Sequence, residues 1–203
     1  MNMTVSNAMV EPCPYYSSQS GSTPLPQVSV YTSAMLNLYG HAMVVANQIM
    51  AAGQSYNAST QAELTAQKMS NETNKVLVDV QNQVNNDNDP NHKGSLPDDV
   101  VNYINAHQIK IAGVTEDANG NFMSITNVNP APAGQVTNSF NEGQLQAIKG
   151  EFDIEATSYS SSNSSYQMML QILLQTFTQC VTAISQISSK QSQVMSQIIN
   201  NMK

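Results

Sequence analysis

The stretch LQAIKGEFDIEATSYSSSNSSYQMMLQILLQTFTQCVTAISQISSKQSQVMSQIINN, residues 145–201, decides the fold. Its series runs Leu145, Ile148, Phe152, Ala156, Tyr159, Asn163, Tyr166, Leu170, Leu173, Phe177, Cys180, Ile184, Ile187, Gln191, Val194 and Ile198. Every step is three or four residues, and from Phe152 the steps alternate strictly between four and three. That is a heptad with a mean period of 3.5, the spacing that winds helices into a left-handed coiled coil. A helix from Leu145 to Asn201 would be about 85 Å long at 1.5 Å per residue. A rod of that length needs a partner helix, from the same chain or from another copy.

Two seam positions are polar. Asn163 and Gln191 stand where apolar residues are expected, and polar core residues fix register at a cost in stability. For Asn163, inside the Ser-rich run from Ser160 to Ser165, a local fray is the competing reading, because Ser has modest helix propensity. A second stripe, Thr178, Thr182, Ser185, Ser189, Ser192 and Ser196, keeps the same rhythm with small hydroxyls. It reads as a solvated helix face, or as a smooth surface lining a channel or a close subunit contact.

Upstream, the chain divides into four regions. Residues 1–28 hold Pro12, Pro14, Pro24 and Pro26 with Gly21, and are expected to form an extended or flexible arm. Residues 29–86 carry a stripe through Tyr31, Ala34, Leu38, Val45, Ile49, Ala52, Tyr56, Ala66, Met69, Val76 and Val80, which predicts a long helix over Val30 to Val84. Gly40 and Gly53 mark points of expected weakness or kinking.

In the middle region, 87–142, Asn85 to Gly94 reads as a loop. Ser95-Leu96-Pro97-Asp98 reads as a helix start with Ser95 as the cap, and the short helix runs to about Ala106. Alternation at Ile109 and Ile111, followed by Val114, predicts a strand. Asn119-Gly120 predicts a tight turn and Phe122 to Val128 the returning strand. Asn129-Pro130-Ala131-Pro132 then interrupts regular structure. Residues 143–203 form the C-terminal heptad helix.

Composition narrows the function. The chain has 203 residues, of which 40% are hydrophobic and only 10% charged, with a net charge of −7 and no Arg among its seven basic residues. No basic patch exists for nucleic acid or for an anionic membrane. No run reaches the roughly 18 apolar residues of a membrane span, and no cleaved signal sequence is visible at the start. Cys13 and Cys180 lie too far apart in sequence to form a metal or redox motif, and Cys180 reads as a small hydrophobe within the seam.

Chemical motifs are lacking as well. His41, His92 and His107 have no ligand partners at useful spacing. Asp87, Asp89, Asn91 and Asp98 loosely suggest a calcium loop, but His92 stands where the sharp turn needs Gly and Asp replaces the bidentate Glu. A plain surface loop is the expected reading. Asn57 and Asn71 head glycosylation sequons that read as chance matches on helices. No catalytic residue, cofactor or metal site is expected, and an enzyme is disfavoured.

Three segments carry a family resemblance: Thr65-Ala66-Gln67-Lys68-Met69-Ser70, then Leu96-Pro97-Asp98-Asp99-Val100-Val101-Asn102-Tyr103-Ile104 leading to Ile109-Lys110-Ile111-Ala112-Gly113, and Gly143-Gln144-Leu145-Gln146-Ala147-Ile148-Lys149. In this order, with the heptad helix last, the chain resembles the EspA/SseB/EseB family of type III secretion filament and translocon-sheath proteins. The resemblance implies a mainly α fold, in which two long helices form an antiparallel coiled-coil hairpin and a small α/β or irregular middle region faces outward.

The same resemblance implies a secreted subunit that polymerises with itself into a hollow filament extending the secretion needle, a conduit for pore-forming translocators and effectors. A dedicated cytoplasmic chaperone would hold the subunit before export, and residues 1–28 would contain the export signal. The packing residues are expected to be Val45, Ile49, Ala52, Tyr56, Ala66, Met69, Val76 and Val80, against Tyr166, Leu170, Leu173, Phe177, Cys180, Ile184, Ile187, Val194 and Ile198. By the same resemblance the hydroxyl stripe becomes a candidate lumen lining. The alternative function is a membrane-interacting component of the host-membrane pore, with Met43 to Ala52 as its best segment.

Overall fold

The structure is a computed structural model that describes residues 29–87 and 91–202. The expected N-terminal arm, Cys13 and Asp89 lie outside these residues. Helix α1 spans Val30–Asp87 and α3 spans Glu142–Asn201, about 87 and 90 Å long at the helical rise. Between them lie α2, Asp98–His107, and two three-residue strands, β1 (Ser124–Thr126) and β2 (Gln135–Thr137).

Both long helices are continuous. Ser29 starts α1, its hydroxyl accepting from the Thr32 N–H at 3.2 Å. Gly40 and Gly53 do not break it, because every backbone bond of a helix interior is available to Gly at a cost of only about 1 kcal/mol. The Ser-rich run does not interrupt α3 either. The Ser161, Ser162, Ser164 and Ser165 hydroxyls donate to carbonyls four residues back, which satisfies them inside the helix. Asn141 caps α3 with a reciprocal box: its side chain accepts from the Gln144 N–H at 2.9 Å, and Gln144 accepts from the Asn141 N–H at 3.1 Å.

The helices run antiparallel with a fixed register. Gln81 donates to Glu142 at 2.8 Å, the Ser70 hydroxyl to Asp153 at 2.6 Å, and Gln167 to the Tyr56 hydroxyl at 3.0 Å. Carried outward, this register sets Val30 opposite about residue 193 of α3. The last turns, from Val194 to Met202, therefore extend past the start of α1.

One end of the hairpin has a three-dimensional core. Val100, Val101 and Ile104 of α2 pack with Met69, Leu77 and Val80 of α1 and with Leu145, Ile148 and Phe152 of α3, joined by Ile111, Ile125 and Phe140. Asn138, itself buried, holds the start of α2: it accepts from the Leu96 N–H and donates to the Leu96 carbonyl, at 2.8 and 2.9 Å. Among the described residues, the opposite, outer half is two helices alone.

The middle region departs from the sequence reading. Ser95 does not cap α2; its hydroxyl donates to the Asn138 carbonyl at 2.8 Å, and Pro97 takes the cap position. Ile109 and Ile111 form no strand, because Thr115 satisfies their backbone instead. Its hydroxyl donates to the Ile109 carbonyl at 2.6 Å and accepts from the Ile111 N–H at 2.9 Å. The Asn119-Gly120 turn exists, with Gly120 at φ 77°, but its closure comes from Asp117, which accepts from the Asn119 and Asn121 N–H groups. Only a single bridge, Glu116 to Phe122, flanks it. β1 lies within the expected returning strand and pairs in parallel with β2, Ile125 opposite Val136.

Gly94 lets this strap cross the hairpin. It exchanges two backbone bonds with Phe140, at 2.8 and 2.9 Å. A Cβ there would lie 2.6 Å from a Val76 methyl and 2.8 Å from a Val80 methyl. Gly94→Ala is therefore expected to destabilise the subunit by about 1–3 kcal/mol through overpacking, read as a lower urea midpoint. An unchanged midpoint would mean that the strap is not clamped.

Candidate assembly surfaces

Heptad letters organise the hairpin. In α1 the a positions include Ala42, Ile49, Tyr56, Glu63, Ser70 and Leu77, and the d positions Val45, Ala52, Ser59, Ala66, Thr73 and Val80. In α3 the a positions are Ala156, Asn163, Leu170, Phe177, Ile184 and Gln191, and the d positions Phe152, Tyr159, Tyr166, Leu173, Cys180 and Ile187. All of these are buried or half-buried, so the seam read from sequence is formed within one chain. Of the expected packing residues, Val45, Ala52, Ala66, Met69, Val80 and Cys180 are buried, and Ile49, Tyr56, Val76, Tyr166, Leu170, Leu173, Phe177, Ile184 and Ile187 are half-buried. Val194 and Ile198 continue the seam past the start of α1 and are exposed.

The seam contains a polar layer. Asn163 donates to Glu63 at 2.6 Å and is buried. Nearby, Glu155 accepts from the Tyr103 hydroxyl at 3.1 Å and the Tyr159 hydroxyl at 3.5 Å. Burial first, and then the Glu155 charge, push both phenols above their ordinary pKa, so they stay protonated and keep donating.

At Ser70 the Asp153 carboxyl sits below the usual carboxylate range, held by the Lys149 ammonium at 2.5 Å and then by the Ser70 hydroxyl. The folded pKa is depressed, so this contribution is present above pH ~4 and is lost as pH falls through the folded pKa. Asp99 behaves likewise beside Lys68. The melting temperature is expected to fall below pH 4, and to fall less steeply in Asp153→Asn. Because Asp153 is half-exposed, screening keeps the difference small. Identical acid profiles for the two proteins would refute the assignment.

The hydroxyl stripe is exposed at every position from Thr178 to Ser196. Thr182, Ser189 and Ser196 are f residues, opposite the seam, while Thr178, Ser185 and Ser192 are b residues on its flank. Around them the hairpin exposes an unusual number of large apolar side chains, among them Leu36, Met43, Met50, Leu174 and Val181. No seam reading anticipated these, although their seven-residue recurrence is present in the sequence.

No cluster of three or more metal-ligating side chains occurs among the described residues. Asp87 contacts His92 at 3.0 Å, a link within the loop rather than part of a cation cage. Cys180 is a free, buried thiol in the seam, in keeping with a packing role.

A long two-helix rod with a compact cap at one end and apolar stripes left open along its sides defines a helical subunit of the kind that packs laterally against other chains. The chain belongs to the EspA-like secreted protein family, whose profile matches residues 22–197. Its fold is similar to that of the subunit in the cryo-EM structure of the enteropathogenic Escherichia coli type III secretion system EspA filament. The TM-score is 0.55, with 24% identity over 83% of this chain and 85% of that one. No curated protein sequence matches.

Proposed function

We propose that this secreted protein is a structural subunit that polymerises into a hollow helical filament at the bacterial surface, as a conduit of a type III secretion system. The observation that carries the reading is the outer half of the hairpin. From Ser29 to Ala62 there is no charged residue, and from Ala156 to Met202 only Lys190. Two helices alone cannot cover their apolar residues there, and a surface without charge costs little to desolvate against copies of itself. Contacts that repeat without closing generate a filament instead of a ring. In this reading the f residues of the hydroxyl stripe on α3, Thr182, Ser189 and Ser196, line the lumen as a mild surface for cargo, while Thr178, Ser185 and Ser192 border a subunit contact. The needle and pore-forming translocators lie at the two ends, and a cytoplasmic chaperone covers the apolar flanks before export. The role is structural, without catalysis.

A second reading has one observation in its favour: α3 is long and apolar enough to cross a membrane by length and composition. Its apolar residues, however, lie in stripes separated by Ser, Thr and Gln, which would carry hydroxyls and amides into lipid. Liposome flotation combined with sedimentation separates the two. A filament subunit pellets as polymer and leaves the floated fraction empty; monomer that floats with lipid would establish the membrane reading.

A further inference from the structure

Each long helix carries a second heptad stripe beside its seam. On α1 it consists of Leu36, Met43 and Met50 at b positions, with Tyr39, Ala46 and Gly53 at e positions. Their steps alternate three and four, like those of a seam. On α3 the e positions hold Leu174, Val181, Ser188 and Met195, and the b positions Thr178, Ser185, Ser192 and Ile199. Leu36, Met43, Met50, Leu174 and Val181 remain between 48% and 69% exposed, although their period matches that of buried residues.

The two stripes share one face. Ser70 and Tyr56 are a residues of α1 bonded to Asp153 and Gln167, which are e residues of α3; Gln81, an e residue of α1, bonds Glu142 at an a position of α3. The a/e side of one helix therefore meets the a/e side of the other, and both b/e stripes border the same broad side of the hairpin. The register places Leu36 to Met50 opposite about residues 173–187, beside Leu174 and Val181.

We infer that this b/e flank of the outer half is a docking surface for a second copy of the chain, which seats the opposite c/g flank of its own hairpin there. The inference deepens the filament reading and rests on it. Four observations select the occupant. The flank has no charge to recruit a charged partner or lipid headgroups. Its heptad period accepts long helices of the same period, which the chain itself supplies. The c/g flank offers exposed Val44, Met169 and Ile172 with Ala51, so the contact joins two different surfaces and does not close. With helices about 10 Å wide, the outer flank measures roughly 700 Å², close to the ~800 Å² per partner of a stable interface. Gly53 agrees with this placement: it weakens α1, yet among the described residues no atom beyond its own stretch of helix backbone lies within 4 Å of where its Cβ would be.

The test uses full-length protein and compares Met43→Lys and Val181→Lys with Gln54→Lys, an f position of α1. Polymer yield is measured by sedimentation and electron microscopy, and subunit helicity by circular dichroism. The expected result is that both flank variants keep their helicity and lose polymer by roughly tenfold or more, while Gln54→Lys polymerises normally. Normal polymer from the flank variants, with wild-type filaments present, would overturn the flank and leave the filament reading standing. Absence of polymer from the wild type would overturn both. Because the chain contains no Trp, a Met43→Trp variant gives an independent readout: its emission should shift to the blue on polymerisation. Water-like emission within filaments would overturn the inference even if a lysine variant misfolds.

Discussion

Replacing Leu173 with Asp is expected to abolish polymerisation and to unwind the outer half of the hairpin. Leu173 is a half-buried d residue that the register sets opposite the turn carrying Ile49. The substitution removes about 1–2 kcal/mol of apolar burial, as Leu173 is half-buried, and places a carboxylate where no base lies within the seam. Among the described residues the outer half has no third element to absorb that loss, since the α2 and strand region packs at the other end. Long helices without a packed face are marginal in water. Far-UV circular dichroism should show a partial loss of helix, and negative-stain microscopy should show no filaments. Ile184→Lys, about three helical turns farther along the seam, is expected to do the same. Filaments of ordinary length from either variant would mean that the intrachain seam does not support the assembly.

Phe152→Ala is expected to cost about 3–5 kcal/mol, the range for emptying a large core site. Phe152 is fully buried, packs with α1 and α2 residues, and its ring lies 5.8 Å from that of Tyr103. It is the side chain on which α2, α1 and α3 converge. Urea unfolding monitored by helicity should show the loss as a lower midpoint at an unchanged slope. A loss below 1 kcal/mol would mean that the end of the hairpin relaxes around the cavity and has no single packed core.

The long helices were legible because their burial follows a period that the residue types display openly. Phe152, Leu173, Phe177 and Ile187 are apolar at heptad steps, and no short-range alternative competes over so many turns. Seam members such as Glu63, Ser70 and Thr73 were not legible. A polar residue announces burial only through its partner, here Asn163 for Glu63, Asp153 for Ser70 and the Met69 carbonyl for Thr73. The Ser-rich run misled toward a break, because propensity does not include the back-bonds that hydroxyls make inside a helix.

In the middle region the alternation at Ile109 and Ile111 looked like a strand, but two apolar residues reach a core equally well from a turn held by Thr115. The Asn141-x-x-Gln144 box was present in the sequence as a start signal for α3. The flank stripe was hidden for a different reason. A heptad search stops at the strongest stripe, and a second one, offset by a single residue, stands out only when the structure shows that it has been left uncovered.

The most direct test is cryo-electron microscopy of the purified full-length protein, freed of any co-purified chaperone and concentrated. Helical filaments with a central channel, built from laterally packed hairpins, are the predicted result. A stable monomer or a small closed bundle at high concentration would contradict it, and would assign the open stripes to one finite partner in place of a polymer.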